Sequence, residues 1–136
     1  MSGISRSEDA VICSTSPRAA VELPVSREAP AMAREFLRAA SCREHHSAVL
    51  DDAVLLVSEL VTNSVLHGGP PVVVAVDCDG TTLRVRVRDG SSVAPRPREA
   101  TESDENGRGM ALVAEMSDEW GVDSEPAGKN VWFVLC

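Results

Sequence analysis

The chain has 136 residues, close to the roughly 150 residues of one ordinary domain, and its 43% hydrophobic and 25% charged residues exclude wholesale disorder. Thirteen Lys+Arg against 21 Asp+Glu give a formal net charge of −8, with only 3% aromatic residues. That sign and that scarcity argue against a surface built for phosphate backbone or for stacked bases, so no direct nucleic-acid partner is expected.

Residues 1–18 read as a polar leader without the apolar core of a secretory signal, which points to a cytoplasmic protein, and residues 19–136 as a single domain. Residues 19–25 (AAVELPV) read as a short strand ending near Pro24. Ser26, Glu28, Ala29 and Pro30 form a helix-start pattern, and the segment to Ala40 puts Ala33, Phe36, Leu37 and Ala40 on one face. A polar SCREHH turn follows. Ser47 then caps a second helix, with Asp51 and Asp52 at its positive end, and Gly68-Gly69-Pro70-Pro71 stops it after His67.

The stretches PVVVAVDC and TLRVRVRD are joined at Asp79 and Gly80, a strong hairpin signal. Leu83, Val85 and Val87 alternate with Arg84, Arg86 and Arg88, so one face of that strand meets water or the charge of a partner. Residues 91–106 carry Pro, Ser and charge without an apolar period and read as a long functional loop. Gly107-Arg108-Gly109 opens a helical run, MALVAEM, and two strands around DEWGVDS and KNVWFVLC close the chain. The order predicts an α+β two-layer sandwich, with about three helices on one face of one mixed sheet. No apolar run approaches the ~20 residues that span a bilayer. Cys13, Cys42, Cys78 and Cys136 lack C-x-x-C spacing, and the C-x-x-H pair Cys42 and His45 has no second pair to complete a metal site.

Within the second helix Glu59, Asn63 and His67 stand four residues apart and line one face. Such a stripe faces either a pocket or water, and the rest of the chain bears on which. Asp89 ends a strand just before the long loop, and Gly107-Arg108-Gly109 leaves that loop at a helix start. There, unpaired N–H groups and the helix dipole favour an anion, and glycine lets backbone approach it closely. His67, at the helix end, reads as a C-terminal charge rather than a catalytic group. Trp120 and Trp132 read as core or interface residues.

The stretches SELVTNSVLHG (58–68), VRVRDGSS (85–92), NGRGMALV (106–113) and GKNVWFVL (128–135) together resemble the GHKL (Bergerat-fold) ATP-binding domains of the histidine kinase-like ATPase superfamily. Within that group they resemble the stand-alone actinobacterial anti-sigma factor serine/threonine kinases. The resemblance implies ATP and Mg²⁺ as cofactors. It makes Glu59 the group that activates an attacking hydroxyl or water and Asn63 the carboxamide ligand of Mg²⁺. It makes Asp89 the acceptor for the adenine amino group, and Gly107, Arg108, Gly109 and Met110 the glycine box over the phosphates. Residues 91–106 become an ATP lid, and Lys129 a phosphate contact. A hard-oxygen ligand for Mg²⁺ and an acceptor-only carboxylate for an amine both suit these roles.

The family's D-x-G-x-G box expects glycines at positions 91 and 93, where this chain has Ser91 and Val93. The implied partners are a sigma factor and a small antagonist protein bearing the phosphorylated serine, with a homodimer possible. The competing class is a non-catalytic module with a degenerate or structural ATP site, docking proteins through the arginine-rich strand or the first helix. The catalytic half of a histidine kinase needs a phosphoacceptor helical hairpin, which His45 and His46, in a predicted turn, and the short stretch before them do not supply.

Overall fold

A computed structural model describes residues 18–41, 43–78, 82–91 and 105–136. Its elements run β1 (Arg18–Leu23), α1 (Ala29–Ala40), α2 (Arg43–His67), β2 (Val72–Cys78), β3 (Leu83–Asp89), α3 (Glu105–Met116), β4 (Glu119–Glu125) and β5 (Gly128–Leu135). The five strands form one sheet in the order β1-β2-β3-β5-β4. The fold is α+β, as the element order predicts. Cys13, Cys42, the Asp79 and Gly80 turn, most of the leader and most of the proposed lid lie outside the described residues.

Every neighbouring pair in the sheet is antiparallel, which corrects the expectation of a mixed sheet. The single helix α3 between β3 and β4 makes those two strands run the same way, as a one-helix crossover does. They are not neighbours, because β5 lies between them and pairs antiparallel to both. Between β1 and β2 the chain makes two helices instead of one, and this second reversal returns it antiparallel.

The local boundaries also shift for identifiable reasons. Pairing of β1 ends at Leu23 opposite Val72, because Pro24 has no N–H with which to continue the ladder. The Ser26 carbonyl accepts from the Ala29 N–H at 3.1 Å, closing a turn before α1, whose N-cap is Glu28 and whose first turn holds Pro30. The second helix begins at Arg43 and not at a Ser47 cap, so His45 and His46 belong to a helix rather than a turn.

The inward side chains of β2 and β3 alternate with half-exposed ones at the strand period of two. Val72, Val74, Val76, Leu83, Val85 and Val87 pack with Phe133, Leu37, Leu56, Val57 and Met110 into one core. Each such fully buried aliphatic or aromatic side chain contributes about 1.5–3 kcal/mol. α2 packs against both α1 and α3. Among the described residues, no helix is long and apolar enough to cross a membrane.

On the opposite face of the sheet each arginine of β3 has a partner. Arg84 lies over the Trp132 ring at 5.1 Å, Arg86 is 3.5 Å from Asp77, and Arg88 is 3.5 Å from Glu125. This row of positive charge is thus answered within its own face, and it gives little support to a dock for an acidic partner. Trp132 belongs to that outer face, while Trp120 packs on the edge of the core.

The topology gathers one end of the molecule. β3 ends there, β5 begins there beside it, and the chain leaving α2 enters β2 there, since Val73 pairs with Arg88. α3 leads into the start of β4 at the other end of the sheet, where the Asp118 N–H donates to the Val134 carbonyl at 2.9 Å.

Candidate functional site

Strand parity decides the first feature. Leu83, Val85, Val87 and Asp89 share the face of β3 that meets the helices, so Asp89 occupies a position where the pattern otherwise places a core side chain. It is 2% exposed, and a buried carboxylate survives only if paired and hydrogen-bonded. The pairing comes from β5, where Lys129 stands directly opposite in register. Lys129 shares the inward parity of Val131, Phe133 and Leu135. Its ammonium donates to Oδ1 at 2.8 Å and to Oδ2 at 2.9 Å.

Two further donors complete the shell of Asp89. The Ser64 hydroxyl of α2 donates to Oδ2 at 2.7 Å, and the Ser91 backbone N–H donates to Oδ1 at 2.9 Å. Gly68, just past the end of α2, closes over the same carboxylate. A Cβ there would stand 2.5 Å from Asp89 Oδ2, so only glycine lets the backbone pass. The Gly90 N–H donates to the Gly69 carbonyl at 2.7 Å, tying this crossing to the end of β3. Ser64→Ala removes a hydrogen bond to a buried charge and is expected to cost about 1.5–3 kcal/mol. Urea unfolding checks this, and a loss below about 0.5 kcal/mol would mean the hydroxyl is incidental.

The structure places the predicted site residues as follows. Asp89 ends β3 as expected, but Lys129 lies on Asp89 rather than free for a phosphate. Glu59 and Asn63 are both half-buried on α2, and Asn63 Oδ1 is fully buried. Ser58 marks the flank of α2 that faces α1, through the bond from Arg34 at 2.8 Å. At 100° per residue, Asn63 lies about 140° further round the helix, on the flank away from α1. His67 is exposed at the helix end, as a C-terminal charge would be. Gly107, Arg108 and Gly109 fall within the first turns of α3, which starts at Glu105. Met110 is fully buried in the core, so only its backbone is left for a glycine box.

The residues fit a magnesium nucleotide by the chemistry of their donor set. Asn63 Oδ1 is a hard oxygen, and Mg²⁺ needs only one or two such protein ligands beside phosphate oxygens; the Glu59 carboxylate stands one helical turn away. α3 supplies the other half, because the first N–H groups of a helix have no partner within it.

Ser64, Gly68 and the Lys129–Asp89 pairing were not read from the sequence. Parity was the available signal for the pair, since Asp89 and Lys129 both continue apolar rows. Nothing local points to Ser64 or Gly68, which meet Asp89 only through the tertiary packing of α2 on β3.

Comparison with known proteins agrees with this architecture. Residues 23–135 match the model of the histidine kinase-like ATPase domain family. No curated protein matches the chain. Among solved structures, the RsbU and RsbW domains of Rv1364c from Mycobacterium tuberculosis are similar, with a TM-score of 0.65 and 20% sequence identity. The match covers 88% of this chain but 32% of that one, so the chain spans about a third of that relative, and the likeness is one of fold. The chain belongs to the histidine kinase-like ATPase domain family.

Proposed function

We propose that this histidine kinase-like ATPase domain binds Mg-ATP and transfers the γ-phosphoryl group to a serine or threonine hydroxyl of a protein partner, as part of anti-sigma control of transcription. The observation that carries the reading is the half-buried Glu59 and Asn63 pair, on the flank of α2 turned away from α1. In this reading Asn63 Oδ1 holds Mg²⁺, and Glu59 orients the attacking hydroxyl and accepts its proton. The N–H groups of the first turn of α3, up to about Gly107, hold phosphate oxygens, residues 91–106 close over them as a lid, and Asp89 with Lys129 faces the base. The bound Mg²⁺ supplies neutralisation of phosphate charge; the protein's part is positioning and electrostatics. A sigma factor and a serine-bearing antagonist are the partners implied by the motif resemblance, in the cytoplasm.

A second reading is supported by the shell of Asp89. Its carboxylate already accepts from Ser64, Ser91 and Lys129, as in a module whose ATP site is structural or degenerate and whose work is protein docking. Incubating the purified chain with labelled Mg-ATP, alone and with candidate antagonist proteins, separates the two. The kinase reading expects label on a partner serine or threonine. Capture of a partner with no label at saturating Mg-ATP leaves only the docking module. Asn63→Ala is expected to weaken ATP by about tenfold or more when Mg²⁺ is present, with little change in EDTA, as read by calorimetry. Equal losses in both conditions would place Asn63 away from the metal.

A further inference from the structure

We infer that Lys129 sets the base specificity of this site and opens it to guanine as well as adenine nucleotides. The inference rests on the nucleotide reading above. An ionised carboxylate is acceptor-only, with room for about four donors. Asp89 already receives Ser64 Oγ, the Ser91 N–H and Lys129 Nζ on both oxygens, at 2.7–2.9 Å. An incoming base N–H must therefore share an oxygen with one of these donors, and the ammonium, which holds both oxygens, can keep one while the base takes a place on the other.

The same ammonium brings a property that a lone carboxylate lacks. Lysine carries three N–H donors, and among the described residues Lys129 gives hydrogen bonds only to the two oxygens of Asp89. One donor is left for an acceptor on a ligand. Adenine presents an amino donor beside the N7 acceptor, whereas guanine presents the O6 and N7 acceptors. A carboxylate alone accepts the first and repels the second. An acceptor and a donor side by side, as Asp89 and Lys129 stand across β3 and β5, meet either base. Asp89 takes the adenine amino group or the guanine N1–H, and Lys129 gives to N7 or O6. Lys129 is 7% exposed, so water does not fill in for an absent partner there, and each matched or unmatched group counts nearly in full.

Calorimetric titration of the full chain with Mg-ATP, Mg-GTP and Mg-ITP tests the inference. ITP carries O6 and N1–H without the 2-amino group. All three are expected to bind the parent within about tenfold of one another. Lys129→Met keeps the length of the side chain and removes its donors. It is expected to weaken GTP and ITP by about ten- to a hundredfold more than ATP, because O6 is then left against the Asp89 carboxylate, whereas adenine loses its N7 contact and meets no such repulsion. A parent that prefers ATP over both by more than a hundredfold overturns the inference while the nucleotide reading stands. So does a folded Lys129→Met protein with unchanged GTP affinity. A parent that binds none of the three overturns the nucleotide reading and this inference with it. If Lys129→Met does not fold, the three affinities of the parent decide the matter alone.

Discussion

Asp89→Ala loses about 3–5 kcal/mol of folding stability, the cost of breaking a buried ion pair by removing one partner. The loss follows from what remains: the Lys129 ammonium, 7% exposed, faces a cavity, and the Ser64 hydroxyl and the Ser91 N–H lose their acceptor. Against the roughly 5–15 kcal/mol that holds an ordinary domain, this is about a fifth of the total or more. Guanidinium unfolding reads it directly. Replacing both members, Asp89→Leu with Lys129→Met, is expected to recover at least half of the loss, because an apolar pair of similar volume carries no desolvation cost. A single variant within about 0.5 kcal/mol of the parent would show that the pair is reached by water and is no part of the core. The same result governs how nucleotide binding is measured, since lost affinity in Asp89→Ala reports on the base only after the fold is shown to persist.

The parts of this fold that were legible in the sequence are those carried by a local period. The alternation of Leu83, Val85 and Val87 with three arginines predicts one wet face on β3, and burial follows it residue by residue; the unbroken apolar run of β2 reads as a strand without marking its buried side, which is that of Val72, Val74 and Val76. The apolar face of α1, with Ala33, Leu37 and Ala40 buried, is legible in the same way. Non-local pairing was not legible. Insertion of β5 between β3 and β4 depends on strands matching far along the chain, and no periodicity records which strand lies beside which. This is why a mixed sheet was expected and an antiparallel one is found. The start of α2 was placed late, because a run of charged and polar residues reads as a turn and Ser47 as a cap. Propensity there is outweighed by continuity with the amphipathic helix that follows.

For the candidate site, residue types and spacing singled out Glu59, Asn63 and Asp89, whereas the pairing of Asp89 with Lys129 was missed. Lys129 reads from its motif as a phosphate contact, yet its parity with Val131 and Phe133 turns it inward onto Asp89. Extending the alternation test to charged residues at strand ends would have found the pair, since a lysine and an aspartate in the inward rows of two neighbouring strands have few partners but each other.

If the proposed kinase reading holds, Glu59→Ala is expected to lower phosphoryl transfer by about 10²- to 10⁴-fold, the usual contribution of a general base, equivalent to about 2.7–5.5 kcal/mol of barrier. The fold tolerates the change. Glu59 is half-exposed on α2, and alanine is the better helix former, so stability should stay within about 0.5 kcal/mol. Nucleotide and partner affinity should also persist, because an interaction made only as the hydroxyl attacks contributes to the transition state and not to binding. In the same reading Asn63→Ala removes the proposed magnesium ligand one turn further along the same flank, and its effect on magnesium-dependent affinity is expected to appear before any chemistry occurs. The two variants therefore separate a base from a metal ligand by which step each alters. Single-turnover transfer with saturating Mg-ATP, alongside titration of each variant, makes the distinction. If transfer survives Glu59→Ala undiminished, the Glu59 and Asn63 stripe is a solvated helix face, and the base must come from another residue or from the partner itself. If the parent transfers nothing while partner and nucleotide both bind, the saturated shell of Asp89 marks a site kept for its shape, and the protein acts by docking alone.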